Sequence, residues 1–188
     1  MGAIVRSRKP HILRGMSVTR VPVACIAVPW DDPRAEALRV AMTAELDIRY
    51  PEMAARPADD PLKATLTVDG ADVITTILAV LPDGTAVGHG ALRRLQIHGR
   101  PEVEIKRVIV HAEHRGKRVA AAVMTALEEA ARATGAPRVV LHTGDRQPEA
   151  VALYRSLGYR SIPLYPPYDR TMPQSFCFAK ELAQPGPS

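Results

Sequence analysis

The chain has 188 residues, 46% hydrophobic and 24% charged, which excludes global disorder, collagen-like repeats and a protein made mainly of membrane spans. Its net charge of +5 would fit a nucleic-acid binder if the excess lay on the folded body. It does not: Arg6, Arg8, Lys9, Arg14 and Arg20 precede the first acidic residue, and basic and acidic residues balance over 31–188. We therefore expect a basic leader without fixed structure over 1–20, one domain over 21–182 and a tail over 183–188. No apolar segment follows the leader's charges, so no signal peptide is expected. Cys25 and Cys177 lie in apolar stretches without metal-ligand spacing, and two buried, reduced thiols of a cytoplasmic protein are expected.

In chain order, the β-branched run Val21–Val28 reads as a strand. Asp31-Asp32-Pro33 starts a helix with an Asp cap and an early Pro, carried to about Ile48 by Leu38, Ala41, Met42 and Leu46. Pro51, Pro57 and Pro61 break 51–63 into a loop with room for a short helix. Asp72–Leu81 and Thr85–Leu95 read as two strands of a hairpin around Asp83-Gly84. Glu104–Val110 alternates as a further strand. Val119, Val123, Leu127 and Ala130 mark one face of the longest helix, which Gly135 and Pro137 end. Arg138–Thr143 is a short strand. Pro148 opens a helix through Ala150, Leu153, Tyr154 and Leu157, closed by Gly158. Tyr159–Leu164 and Ser175–Phe178 are the last strands, around a Pro/Tyr-rich loop. Strands interleaved with helices make an α/β domain with a mixed sheet.

The most informative stretch runs from Val108 to Ala120, where a strand enters a basic loop that opens the long helix. A helix N-terminus offers unpaired N–H groups and the positive end of a dipole, which suit phosphate. Arg115, Lys117 and Arg118 add cations, and Gly116 lets backbone approach a ligand. A solvated basic helix start explains these residues equally well.

The segment resembles the acyl-CoA-binding motif of the GNAT family of N-acetyltransferases, Arg/Gln-x-x-Gly-x-Gly/Ala. Arg115 matches its first position and Ala120 its last, while Arg118 stands where the family has glycine. A second motif, Asn-x-x-Ala-x-x-Leu-Tyr-x-x-x-Gly-Phe/Tyr, is matched by Gln147-Pro-Glu-Ala150-Val-Ala-Leu153-Tyr154-Arg-Ser-Leu-Gly158-Tyr159, with Gln147 for Asn. The resemblance is firm over about 85–160 and resembles most closely the small bacterial members. It implies a GNAT-like acyl-CoA N-acyltransferase fold: a mixed central sheet, flanking helices and two parallel strands that splay around the donor. It also implies acetyl-CoA as cosubstrate, held by Val108, Ile109, Val110, Arg115, Gly116, Lys117, Arg118, Val119, Ala120 and Gln147. Backbone N–H groups near Val108–Val110 would polarise the thioester carbonyl from a bulged strand.

Attack of an amine on a thioester expels a thiolate, and a phenol with a pKa near ~10 is protonated at neutral pH and can donate to it. The resemblance gives Tyr154 that role; a core tyrosine on the apolar helix face is the plainer alternative. Glu104 occupies the strand position that carries a base in part of the family, and it equally suits a structural pair with Lys106 or Arg107. His142 is a further base candidate, and His111 and His114 are expected to be exposed. The acceptor pocket is expected from Tyr50–Pro61 and from 162–168, with Tyr165 and Tyr168 offering stacking and hydroxyls.

These readings combine as a metal-free N-acetyltransferase that passes acetyl from acetyl-CoA to a primary amine of a small molecule, by direct attack in a ternary complex. A non-catalytic CoA-binding or regulatory domain of the same fold is the alternative; a nucleic-acid-associated protein using the leader is another, disfavoured by the neutral body. No membrane partner is expected, and a homodimer is left open.

Overall fold

Proline and aspartate punctuate this chain so regularly that they set most of the observed boundaries. In order the elements are β1 (Ala24–Val28), α1 (Pro33–Arg49), α2 (Pro51–Ala54), α3 (Pro61–Leu66), β2 (Val73–Val80), β3 (Ala86–Ile97), β4 (Arg100–Val110), α4 (Val119–Ala133), β5 (Arg138–Thr143), α5 (Pro148–Ser156), β6 (Arg160–Ile162), α6 (Tyr168–Thr171) and β7 (Phe176–Glu181). The computed structural model describes residues 22–183. The expected leader, Val21 of the first expected strand and the tail beyond Ala183 lie outside the described residues.

Local chemistry accounts for the boundaries. The Asp32 carboxylate accepts the Arg34 N–H at 2.8 Å, with Pro33 in the first turn of α1. The segment expected as a loop holds two short helices, each beginning at a proline, and Asp60 caps the second. Asp83 accepts the Thr85 N–H at 2.9 Å and Gly84 takes a φ of 87°, which closes the β2–β3 hairpin. A second tight turn, His98-Gly99 with φ of 50° and 76°, joins β3 to β4. Both strands therefore run longer than the expected Thr85–Leu95 and Glu104–Val110.

The seven strands form one mixed sheet in the order β1-β2-β3-β4-β5-β7-β6. β4 and β5 are the parallel pair, and they pair only at Glu104↔Val140 and Ile105↔Leu141. Beyond those residues the strands part. On its other edge β4 is bulged: His89 faces Ile109 and Ala91 faces Lys106, so Arg107 and Val108 oppose the single Gly90. Arg107 takes a φ of 57° there. Gly90 is required by packing, because a Cβ on it would lie 2.7 Å from Leu127 Cδ1 and 2.9 Å from Val123 Cγ1 of α4.

Helices cover both faces. On one, Val119, Val123, Met124, Leu127 and Ala131 of α4 are buried with Leu92, Ile105, Leu141 and Tyr154. On the other, α1 packs Ala35 and Leu38 on Leu78 and Ile109. Tyr165, Tyr168 and Met172 form a second cluster with Val140 and Cys177, against which Met53 and Leu62 pack. Cys177 is buried as expected, whereas Cys25 is exposed. Cys25 sits on β1, the end strand of the sheet, where one long edge has no neighbouring strand among the described residues.

Candidate active site

Parting of β4 and β5 opens a cavity of about 640 Å³ that reaches both faces of the sheet. Lys106, Arg107 and Val108 line it from β4, His142 and Thr143 from β5, and Tyr154 and Ala150 from α5. The opposite bank comes from α1 to α3 and from 171–175. Of the predicted site residues, Val108, Gln147 and Tyr154 line this cavity together. No cysteine lines it.

Tyr154 is 7% exposed, and its hydroxyl has no hydrogen-bond partner among the described residues. Burial pushes its pKa up to about 12, so at neutral pH it is a proton donor. Its ring lies tilted against Phe178 and Tyr159, with centroids 6.0 and 5.9 Å away, and that packing holds it where the strands part.

The three backbone candidates of β4 differ. Ile109 and Val110 remain in the ladder with β3, opposite His89 and Gly88, and their side chains are buried. Val108 belongs to the bulge and has no β3 partner in the register. Beyond Ile105, β4 has no β5 partner either, so Val108 has no register partner on either side among the described residues. His89 fixes this bulge. Its Nε2 faces the Arg39 guanidinium at 3.3 Å and must accept, since arginine only donates. Nδ1 therefore carries the proton and donates to the Arg107 carbonyl at 2.7 Å. Burial, with Arg39 and Arg107 nearby, lowers the His89 pKa to about 4 and keeps it neutral. Sequence reasoning missed His89, which belongs to no motif.

The α4 N-terminus lies beyond the cavity lining. Arg118 is its cap position, with φ 65° and ψ 11° and no side-chain cap hydrogen bond. The first N–H groups of the helix thus keep their donors for a ligand. Arg118 and Gly116 (φ 72°) are the two left-handed residues of this loop, which explains physically why a glycine suits position 118. Arg118 is exposed and Lys117 half-buried. Arg115, expected as a free phosphate cation, is engaged instead: its Nε donates to the Val110 carbonyl at 2.9 Å and its guanidinium pairs with Glu45 of α1. It ties the loop to α1.

Glu104 departs from its expected role. It is fully buried and is not among the cavity lining. One carboxylate oxygen accepts from Arg93 at 2.6 and 2.7 Å. The other accepts from Tyr165 at 2.7 Å and Tyr168 at 3.0 Å. A carboxylate held by four donors anchors a network and is not a free base; its ion-pair partner is Arg93, not Lys106 or Arg107. The two tyrosines, expected in the acceptor pocket, are buried around Glu104 and do not line the cavity. Met172, Gln174 and Ser175 line it in their place, and of the segment Tyr50–Pro61 the residues Tyr50, Glu52, Met53, Ala54 and Arg56 line it. His142 lines the cavity and stacks on Tyr168 with centroids 3.7 Å apart. Burial, with Lys106 and Arg93 nearby, lowers its pKa to about 3, which makes it a poor proton acceptor near neutrality. His111 is exposed and His114 half-buried.

Comparison with known proteins agrees with this architecture. The family model described as acetyltransferase (GNAT) family matches residues 39–159. N-acetyltransferase 8 of Mus musculus is 31% identical over 118 residues, covering 57% of this chain and 52% of the relative. IAA acetyltransferase of Azospirillum brasilense is 35% identical over 85 residues, covering 45% and 54%. The chain thus spans about half the length of these curated relatives. Among solved structures, a Klebsiella pneumoniae protein assigned as an acyl-CoA N-acyltransferase superposes with a TM-score of 0.68 at 27% identity, over 86% of this chain and 98% of that one.

Proposed function

The chain belongs to the acetyltransferase (GNAT) family, and from that premise we propose that it transfers an acetyl group from acetyl-CoA to a primary amine of a small molecule by direct attack. The observation that carries this reading is Tyr154: a buried, protonated phenol without a partner among the described residues, lining the cavity beside Val108 where β4 and β5 part.

The residues suit the donor. The α4 N-terminus, with Lys117 and Arg118, would hold its phosphates, and the open main chain of β4 would meet its amide arm. Acetyl-CoA supplies an acyl carbon activated by a thiol leaving group. The Val108 N–H hydrogen-bonds the acyl oxygen as charge builds on it. The amine nitrogen forms the new C–N bond and sheds one proton to water. As the C–S bond breaks, the Tyr154 hydroxyl gives its proton to the departing sulfur and regains one from solvent. The absence of a cysteine from the lining favours direct transfer over an acyl-cysteine intermediate.

Steady-state kinetics with acetyl-CoA and an amine panel, read by thiol release, tests the reading. Amine-dependent release with intersecting double-reciprocal lines is expected. Parallel lines would exclude the ternary complex, and release independent of every amine would remove the transferase reading.

A further inference from the structure

Lys106 is a buried ammonium with a single hydrogen bond. It is 7% exposed, and its Nζ donates to the Tyr168 hydroxyl at 2.8 Å. Its two other N–H groups have no hydrogen-bond partner among the described residues, and the Nζ lies 4.9 Å from the centroid of the Tyr168 ring. The nearby carboxylate does not meet that need, because Glu104 is already occupied by Arg93, Tyr165 and Tyr168. Arg107 adds a further positive charge, and one N–H of its guanidinium donates to the Leu66 carbonyl at 3.0 Å. Arg93 and Lys106 therefore share the one carboxylate of Glu104, with half-buried Arg107 beside them, and an ammonium left so is costly unless an anion joins it.

The cavity is where an anion can join. Lys106 lines it beside Met53, Leu62 and Met172. The other lysine of the lining, Lys63, is committed to the carbonyls of Ala54 and Arg56 at 3.2 and 2.6 Å. Lys106 is two residues from Val108 along β4 and lines the same cavity, so one small molecule can meet both. We propose that the acceptor is an amino carboxylate: Lys106 binds its carboxylate, and its apolar side group rests on Met53, Leu62 and Met172. The inference rests on the acyl-transfer reading and names its substrate class.

A base role for Lys106 would need the opposite pH behaviour. Burial pushes the Lys106 pKa down to about 8, with Arg93 and Arg107 acting the same way and Glu104 and Cys177 opposing. Tyr165 and Tyr168 stay neutral because burial and Glu104 raise them, and His142 is neutral because burial lowers it. An anchoring ammonium loses its anion as pH rises past about 8; a base would gain activity over the same range.

Calorimetry with saturating CoA decides the matter, using N-acetylmethionine, N-acetylleucine and N-acetylphenylalanine against their carboxamides. These products carry no amine, so the carboxylate is the only titrating difference. At pH 7 at least one carboxylate should bind about tenfold or more tighter than its amide, the scale of a charged hydrogen bond. That preference should shrink by about tenfold per unit above pH 8 and vanish in Lys106→Met with CoA affinity retained. Equal binding of every acid and amide overturns the proposal, as does a preference that survives in Lys106→Met. Should that variant lose CoA binding, the wild-type titration decides, and a preference flat from pH 7 to 10 overturns it. Turnover is scored separately. Amines lacking a carboxylate that match amino acids in kcat/KM overturn the substrate class and leave acyl transfer standing. The absence of any amine-dependent thiol release overturns acyl transfer instead.

Discussion

The two banks of the cavity are built by different means. On the α5 bank, and at the α4 start beyond it, the working parts are local: a helix start, two left-handed loop residues, and a tyrosine carried by its own helix. On the opposite bank they are side chains that meet across long stretches of chain. Behind it, Glu104 accepts hydrogen bonds from tyrosines 61 and 64 residues away, and Arg146 reaches the Arg49 carbonyl across 97 residues at 2.7 Å. Backbone geometry at a helix start needs particular residues at fixed spacing. A network of long side chains has no such spacing and is set by the fold. The first bank is suited to a constant donor, and the second to a particular acceptor.

If that division holds, substitutions on the first bank should change chemistry or donor binding and spare stability, and those on the second should do the reverse. Tyr154→Phe gives the largest effect. It keeps the packing against Phe178 and deletes only the proton donor. Turnover should fall about 10²–10⁴-fold, the usual contribution of a general acid, with CoA affinity nearly constant by calorimetry. A donor with a more acidic leaving thiol should narrow the gap. Unchanged turnover, with chemistry shown to be rate-limiting, would make Tyr154 a packing residue.

Glu104→Gln comes next and separates the two roles considered for this residue. It strips the charge that neutralises the buried Arg93. Breaking a buried pair on one side typically costs ~3–5 kcal/mol, so urea denaturation should show a loss of that order. A stable variant without turnover would restore Glu104 as the base.

How much of each bank the sequence reveals follows from the same division. Gly116 and Arg118 stand out at a helix start, where backbone conformation demands particular residue types, and Gln147 and Tyr154 stand out through the family motif. A bulge near Val108–Val110 is expected only from family resemblance, and the structure places it at Arg107–Val108; its physical signal, Gly90 opposite, reads in sequence as a weakened strand. The sequence leaves the role of Glu104 open between a base and a structural pair, for a physical reason. Its partners Arg93, Tyr165 and Tyr168 come from three separate segments, and no periodicity links them. One signal was available: Glu104 and Lys106 flank Ile105 in a central strand, so both charges share a face that burial forces into pairing.

Acid should expose the second bank first. His89 and His142 are held neutral, with pKa values of about 4 and about 3 against 6.5 for a free histidine. Between those values the unfolded chain binds protons that the folded chain refuses. Stability is then complete above pH 6.5 and falls as pH drops below it, by up to ~1.4 kcal/mol per unit for each histidine. Denaturation at pH 6.5 to 5, above the range where most carboxylates titrate, should show this slope. His142→Phe keeps a ring against Tyr168 and should remove its share. A slope unaffected by that change would place the acid sensitivity elsewhere.

Arg118→Gly should have the smallest effect and tests the first bank most directly. Arg118 holds a left-handed conformation that costs an L-residue ~1–2 kcal/mol and a glycine almost nothing. Glycine also loosens the unfolded chain, which takes back ~0.4–1 kcal/mol. The folded state should gain the difference, below or near ~1 kcal/mol, seen as a small rise in the denaturation midpoint. The guanidinium is exposed and has no partner among the described residues, so CoA affinity should change by only a few-fold, with a slightly weaker salt dependence. Unchanged stability would mean that the strain is relieved by contacts absent here. A fall in CoA affinity beyond about tenfold, the scale of a charged hydrogen bond, would mean that Arg118 closes over the phosphates on binding. The donor bank would then depend on a side chain as well as on backbone, and the contrast between the banks would be one of degree.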